Sequence, residues 1–211
     1  MNSLCSEQIL RWLEACADVF TANKDRLTEL DSAIGDGDHG ANMARGFAAV
    51  RAKLPGLAGK DIGAVLKATA LTLISTVGGS SGPLYGTFFL QSAGPANGKS
   101  ELSYADLFAS LDAGVKGVMH RGKAAVGDKT MVDALVPAVE ALRPRENDSI
   151  EAALARVVQA ARSGAESTVP MVARKGRASY LGERSAGHLD PGAASSVLLF
   201  EALAGVVQSS D

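Results

Sequence analysis

The sequence predicts an all-α protein that folds as a single domain over residues 1–211. Apolar residues recur at helical spacing along most of the chain; Leu107, Leu111, Val115 and Val118, for example, fall on one helix face. Many of these segments are rich in alanine, which favours close helix packing in a bundle or a ring. No stretch predicts a strand convincingly, although residues 71–77 contain enough β-branched residues to be ambiguous.

Eight helices account for most of the chain. The first is predicted behind a Ser6 cap, and its apolar stripe includes Ile9, Leu13 and Phe20. The others are predicted around residues 39–53, 62–73, 81–93, 107–118, 129–142, 150–161 and 192–208. Pro137 should kink its helix, because proline removes a backbone donor and clashes with the preceding turn.

Composition excludes several classes of protein. The 211 residues are 46% hydrophobic with a net charge of −2, which gives an ample core and no basic surface for nucleic acid. Glu7, Arg11 and Glu14 interrupt the N-terminal apolar residues, and no apolar run reaches membrane-spanning length. Cys5 and Cys16 lie about 16 Å apart on one helix, too far for a disulfide. We therefore expect a cytoplasmic protein that binds neither nucleic acid nor a membrane.

Three carboxylates lie within eight residues at Asp31, Asp36 and Asp38, among glycines that let the backbone fold tightly. Two such charges ~4 Å apart repel by about 4 kcal/mol at an effective dielectric of ~20, so the cluster favours a bound cation. Oxygen ligands select Mg²⁺ or Ca²⁺ over Zn²⁺. An EF-hand loop counted from Asp36 fails, since Gly40 and Phe47 stand where it needs ligands. The alternative is a turn that only caps the next helix.

A Gly/Ser loop at residues 78–82 precedes an apolar helix. Loop amides, hydroxyl groups and a helix N-terminus together can bind an anion. It is not a Walker A loop, because no Gly-Lys-Ser/Thr follows. By itself such a loop is more often only a turn, and a metal at the aspartates would strengthen the phosphate interpretation.

Two further stretches combine basic residues with glycine. In residues 121–131, Asp128 is expected to cap a helix, while Gly122 and Met131 could flank a ligand. Residues 173–192 form a long predicted loop with four cations, which either face solvent or close over phosphates. Asp190, followed by Pro191, is expected to cap the last helix.

Together these stretches resemble the DhaL family, the nucleotide-binding subunits of dihydroxyacetone kinases. The resemblance runs the full length of the chain and rests on four separate motifs. They are Asp31-xxxx-Asp36-Gly37-Asp38-His39-Gly40, Gly78-Gly79-Ser80-Ser81-Gly82-Pro83, Gly127-Asp128-Lys129-Thr130-Met131 and Arg174-Lys175-Gly176-Arg177-Ala178-Ser179-Tyr180-Leu181-Gly182-Glu183-Arg184-Ser185.

The resemblance implies a barrel of eight antiparallel amphipathic helices with ADP or ATP at one end. Two Mg²⁺ ions would link the nucleotide phosphates to the metal ligands Asp31, Asp36 and Asp38. Residues implied to contact phosphates or ribose are His39, Gly40, Ala41, Asn42, Ser80 and Ser81. Residues implied to surround the rest of the nucleotide are Gly122, Met131, Arg177, Asp190, Pro191 and Gly192.

The implied activity is that of a phosphotransferase subunit. ADP on this chain would take a phosphoryl group from a phosphohistidine protein and pass it to dihydroxyacetone on a partner subunit. An ATP-dependent kinase of a triose or related ketose is the first alternative. A nucleotide-dependent module that binds a regulator is the second, which makes a transcriptional regulator a candidate partner. A homodimer is also an expectation.

Overall fold

The computed structural model describes residues 3–145 and 148–209 and is largely helical. Within these residues, nine α-helices and two short β-strands follow one another along the chain. Their bounds are β1 Ser3–Cys5, α1 Ser6–Ala22, α2 Lys24–Ile34, α3 His39–Lys53, α4 Ile62–Thr76, α5 Ser81–Ser92, β2 Glu101–Ser103, α6 Tyr104–Gly122, α7 Val132–Ala141, α8 Ile150–Ser167 and α9 Pro191–Gln208. Two 3₁₀ segments, Leu54–Leu57 and Arg177–Ser185, complete the regular structure.

Side-chain oxygens cap four of these helices. The caps are Asp61 for α4, Ser103 for α6, Ser149 for α8 and Asp190 for α9. Each accepts a hydrogen bond from the backbone N–H three residues later, which satisfies a donor that the helix itself leaves unpaired. The predicted cap at Asp190, with Pro191 as the first helical residue, is confirmed.

Most helices pack against their neighbours in the sequence. From α3 to α9 each helix contacts the next, α9 contacts α1, and α1 contacts α3. Helix α2 packs mainly on α3 and more weakly on α9. Because α2 and α3 are joined by a short loop, the end of α2 lies beside the beginning of α3.

Aromatic side chains of the protein itself fill part of the core. Trp12, Phe20, Phe47, Phe88 and Phe89 are all fully buried, and the rings of Phe20 and Phe47 stack with centroids 4.6 Å apart.

By length and composition α9 could cross a membrane, but it packs on α1, α7 and α8 as a core helix does.

The predicted helix count missed α2. This segment is polar and buries only Leu27, Asp31 and Ile34, so its apolar stripe is too thin to be recognised from periodicity. Elsewhere the predicted segment 39–53 coincides with α3, and the ambiguous residues 71–76 lie in α4.

Two other expectations are wrong. A small antiparallel sheet is present, in which β1 pairs with β2 and Leu4 lies opposite Leu102. Helix α1 is capped by Cys5 rather than by Ser6, and the Gln8 side chain accepts the Cys5 N–H at 2.9 Å. The long loop predicted at 173–192 also contains the Arg177–Ser185 3₁₀ segment, which has a kink at Gly182.

Candidate functional site

The three predicted metal-ligating aspartates meet between α2 and α3. Asp31 lies buried in the last turn of α2, whereas Asp36 and Asp38 are exposed in the connecting loop. One carboxylate oxygen from each lies within 4.8 Å of those of the other two. The loop therefore brings three negative charges to one place, as the sequence predicts.

The geometry of this acidic loop, defined as Asp31, Asp36 and Asp38 with the residues between them, is fixed by its backbone. Asp31 Oδ2 accepts hydrogen bonds from the N–H groups of Asp38, at 2.9 Å, and His39, at 3.1 Å. A Cβ on Gly35 would lie 2.1 Å from Asp31 Oδ1, so only glycine allows this close approach. The loop is thus tied back onto the carboxylate that it surrounds.

The donor set of the acidic loop suits a hard divalent cation. All three side chains offer carboxylate oxygens, the ligands that Mg²⁺ and Ca²⁺ prefer. The Arg177 guanidinium lies 3.0 Å from Asp36 Oδ2, but both side chains are substantially exposed. An exposed pair of this kind offsets little of the repulsion among three converging carboxylates.

A cavity of about 430 Å³ adjoins the acidic loop. Its walls come from all four sequence motifs and from the start of α9. Of the residues predicted to contact nucleotide, those in the wall are His39, Ser80, Ser81, Gly122, Met131, Arg177, Asp190, Pro191 and Gly192. Residues separated widely in the sequence therefore surround one space.

Gly40, Ala41 and Asn42 are not part of the cavity wall. A Cβ on Gly40 would lie 2.0 Å from the Lys24 carbonyl oxygen, so this glycine allows α3 to approach α2. The Asn42 side chain lies against Gly78 at the start of the Gly/Ser loop. In this structure Gly40 and Asn42 shape the elements that carry the site.

The Gly/Ser loop ends at the N-terminus of α5. Ser80 precedes the helix, Ser81 is its first residue, and both face the cavity. Gly79 has a φ of +63°, a conformation that favours glycine. The free N–H groups and positive end of a helix attract anions, so this wall can hold a phosphate.

A second group of charges, the lysine cluster, consists of Lys129, Asp133 and Asp190. Lys129 and Asp190 line the cavity, and Asp133 is buried close enough for its charge to act on Lys129. Lys129 is 1% exposed and donates through Nζ to the carbonyl oxygens of Thr168, at 2.6 Å, and His188. Burial lowers the pKa of Lys129, while the charges of Asp190 and Asp133 oppose that shift. Burial also raises the pKa of Asp190 to about 7.

The cap predicted at Asp128 is wrong. Helix α7 begins at Val132, and Asp128 instead accepts the Ala125 N–H at 2.9 Å within a turn. The Asp133 carboxylate accepts hydrogen bonds from two N–H groups that precede the helix, that of Thr130 at 2.7 Å and that of Gly127 at 2.5 Å. The preceding turn places Lys129 at a φ of +61°.

Sequence reasoning missed the partners of His39. The buried ring pairs through Nδ1 with Ser81 Oγ, at 3.0 Å, and through Nε2 with Ser195 Oγ, at 2.9 Å. Burial lowers the pKa of His39, against the opposing effect of the nearby aspartates. Ser195 also lies 2.7 Å from Tyr85 Oη. The signal in the sequence is the adjacent pair Ser195 and Ser196 within an apolar stretch.

Comparison with known proteins connects this geometry to a family. The DAK2 domain matches residues 33–205, which contain Asp36, Asp38 and all of the cavity wall except Asp31. The chain belongs to the DAK2-domain family.

Relatives of this DAK2 domain match it over most of its length. It is 51% identical to "PEP-dependent dihydroxyacetone kinase, ADP-binding subunit DhaL" of Escherichia coli K12, over 96% of this chain and 97% of that protein. It is 47% identical to "PEP-dependent dihydroxyacetone kinase 2, ADP-binding subunit DhaL" of Listeria innocua, over 90% of each chain. These relatives confirm the DhaL resemblance of the motifs.

A solved structure has the same fold. The dihydroxyacetone kinase of C. freundii, in complex with AMP-PNP and Mg²⁺, superposes on this DAK2 domain with a TM-score of 0.74. The two sequences are 26% identical, and the match covers 97% of this chain but 35% of the longer kinase.

Proposed function

We propose that this chain is the ADP-binding subunit of a phosphotransferase-dependent dihydroxyacetone kinase. The observation that carries the proposal is the convergence of three carboxylates, a helix N-terminus and a cavity of about 430 Å³. Relatives named as ADP-binding DhaL subunits match over nearly the whole chain. The chain is thus a phosphotransferase subunit, and its substrate is bound by a partner subunit.

The nucleotide would occupy the cavity with its phosphates between the acidic loop and the start of α5. Asp31, Asp36 and Asp38 would hold two Mg²⁺ ions, which neutralise phosphate charge when bound. Ser80 and Ser81 would donate hydrogen bonds to phosphate oxygens. Supporting this orientation, carboxylates and helix N-terminus line the same cavity.

The remaining predicted contacts would surround the ribose and base. Gly122, Met131 and the Asp190-Pro191-Gly192 segment lie in the cavity wall together with Arg177. Met131 offers a flexible apolar surface for a flat ring. Contacts from Gly40, Ala41 and Asn42 remain predictions, since these residues lie outside the wall.

Transfer through the nucleotide is favoured by the positions of the three histidines. His39 is buried with both ring nitrogens bonded, and His120 and His188 are outside the cavity wall. None of them is placed to carry a phosphoryl group beside the acidic loop. The chain therefore contributes positioning and electrostatic stabilisation, which phosphoryl transfer chiefly requires.

A phosphohistidine protein would charge the bound ADP, and dihydroxyacetone on the partner subunit would then receive the phosphoryl group. The exposed position of Asp36 and Asp38 supports this exchange, because partners must reach the phosphates.

We also propose that α1 and α3–α9 form the expected eight-helix barrel, supported by their consecutive contacts. The cytoplasmic location, the regulator and the homodimer remain predictions.

An ATP-dependent ketose kinase is the second candidate. The chain is 34% identical to rat "Triokinase/FMN cyclase" and 35% identical to "L-erythrulose 1-kinase" of Mycolicibacterium smegmatis. It spans 36% and 35% of these longer proteins, respectively. In that case ADP must leave after every cycle, so the two functions differ in how fast the nucleotide exchanges.

A reconstitution assay tests the proposal. The purified chain should form no dihydroxyacetone phosphate from dihydroxyacetone and ATP. Activity should appear when a dihydroxyacetone-binding subunit and a phosphohistidine donor are added. Turnover by the chain alone would contradict the need for a partner, and turnover with ATP and the partner subunit alone would favour the ketose kinase.

A further inference from the structure

A line of hydrogen-bonded side chains connects the core to the cavity. Tyr85 Oη lies 2.7 Å from Ser195 Oγ, Ser195 Oγ lies 2.9 Å from His39 Nε2, and His39 Nδ1 lies 3.0 Å from Ser81 Oγ. Tyr85, Ser195 and His39 are buried, and Ser81 is partly exposed in the cavity wall. The line therefore ends at a hydroxyl group in the cavity wall, on the first residue of α5.

Both nitrogens of the His39 ring are occupied in this line. An imidazole has two polar atoms, and here one bonds to Ser195 and the other to Ser81. The ring has no further polar atom to offer to a phosphate. The His39 ring can therefore influence the hydrogen bonding of a ligand through the Ser81 hydroxyl group.

The line also ties three helices together. His39 begins α3, Ser81 and Tyr85 lie in α5, and Ser195 lies in α9. Ser196 donates to the Gly192 carbonyl at 2.8 Å, and Ser195 reaches the same oxygen at 3.0 Å. The Gly192 carbonyl oxygen thus accepts from both serines, and Ser195 Oγ also lies within hydrogen-bond distance of Tyr85 and His39.

We propose that Tyr85 and Ser195 are positioning residues for nucleotide binding. They fix the His39 ring, and the ring in turn orients the Ser81 hydroxyl toward the phosphates. This inference rests on the proposed function, because it requires a phosphate beside Ser81. It assigns a role to two residues outside the sequence motifs, one of which does not line the cavity.

A matched pair of serine variants tests the proposal. Ser195→Ala should weaken Mg–ADP binding about tenfold, because the Ser81 hydroxyl loses its alignment and with it a hydrogen bond to a charged phosphate. Ser196→Ala removes a neighbouring buried hydroxyl that does not contact His39 and lies farther from Tyr85 Oη than Ser195 does, at 3.3 Å, so it should change affinity by less than about twofold. Tyr85→Phe should act in the same direction as Ser195→Ala, with a smaller loss. Calorimetry with Mg–ADP measures each, and thermal melts confirm folding.

A double-mutant cycle distinguishes positioning from general destabilisation. If Ser195 acts through Ser81, adding Ser195→Ala to Ser81→Ala should cause no further loss of affinity. Losses that simply multiply would overturn the inference, as would equal effects of Ser195→Ala and Ser196→Ala. A wild-type chain that binds no Mg–ADP would overturn the proposed function itself, and with it this inference.

Discussion

The acidic loop and the lysine cluster both contribute charged side chains to the cavity wall, but they differ in burial and in how far their charges offset one another. The three aspartates of the acidic loop come from eight consecutive residues, and two of them are exposed. Lys129 lies just before α7 and Asp133 in its first turn, Asp190 caps the distant helix α9, and all three are buried. In the lysine cluster a cation lies among the carboxylates, whereas the acidic loop has only an arginine that is 62% exposed.

Because of this difference, substitutions in the acidic loop and in the lysine cluster should affect different properties of the protein, nucleotide binding and folding stability respectively. The negative charge of the acidic loop is left for a ligand, so changes there should affect nucleotide binding far more than folding. The opposite charges of the lysine cluster partly offset one another without a ligand, and removing one leaves the others buried without that compensation. Changes there should reduce stability first.

The largest expected effect is that of Asp36→Ala. Removing one carboxylate breaks the metal shell, so Mg²⁺-dependent ADP affinity should fall by about a hundredfold or more. The helices should remain folded, because the change also relieves repulsion. Asp18→Ala is the control, since Asp18 is an exposed carboxylate that pairs with Arg51 outside the cavity wall. Unchanged affinity by calorimetry would make the metal assignment wrong.

Lys129→Met should produce the largest loss of stability. It leaves Asp133 and Asp190 without their buried cation and two carbonyl oxygens without a donor, which should cost about 3 kcal/mol of unfolding free energy. Lys123→Met is a matched control, because Lys123 is exposed but also has a positive φ, +48°. Urea unfolding measures both variants. Equal losses would show that Lys129 is not a compensating charge.

The raised pKa of Asp190 should make the contribution of the lysine cluster to folding stability depend on pH. Its folded pKa of about 7 lies above the unfolded value, so the folded state binds the extra proton. This contribution to stability is full below pH ~4 and is lost as the pH rises through 7, by at most about 1.4 kcal/mol per pH unit. Asp190→Asn should remove that slope while keeping an acceptor for the Ala193 N–H.

Asp61 provides a contrasting control for this measurement. It also caps a helix, but hydrogen bonds from the N–H groups of Ala64 and Gly98 lower its pKa. The stability that it contributes is present above its unfolded pKa and is lost as the pH falls. Asp61→Asn should therefore change the pH profile with the opposite sign. The same profile for both variants would contradict the assigned shifts.

The smallest expected effect is that of Arg177→Ala on the nucleotide-free protein. Because the pair with Asp36 is exposed, its loss should change the unfolding free energy by less than about 1 kcal/mol. Arg174→Ala, on the same loop, should give a similar value. A loss as large as that for Lys129→Met would show that the acidic loop is neutralised internally.

The acidic loop could be predicted from the sequence because its ligands lie close together in the chain. The cap at Asp190 could also be predicted from the sequence, since capping depends on local residues. Helix α2 was missed because it buries few side chains. The lysine cluster and the contact of His39 with Ser195, 156 residues away, depend on how the helices pack. Periodicity and local motifs do not predict contacts between residues so far apart in the sequence.

Quantifying adenine nucleotide and Mg²⁺ released on denaturing the protein, purified without added nucleotide, tests the central claim most directly. A resident coenzyme predicts ADP close to one per chain, together with bound Mg²⁺. An empty site that binds and exchanges ATP would contradict that claim and favour the ATP-dependent ketose kinase.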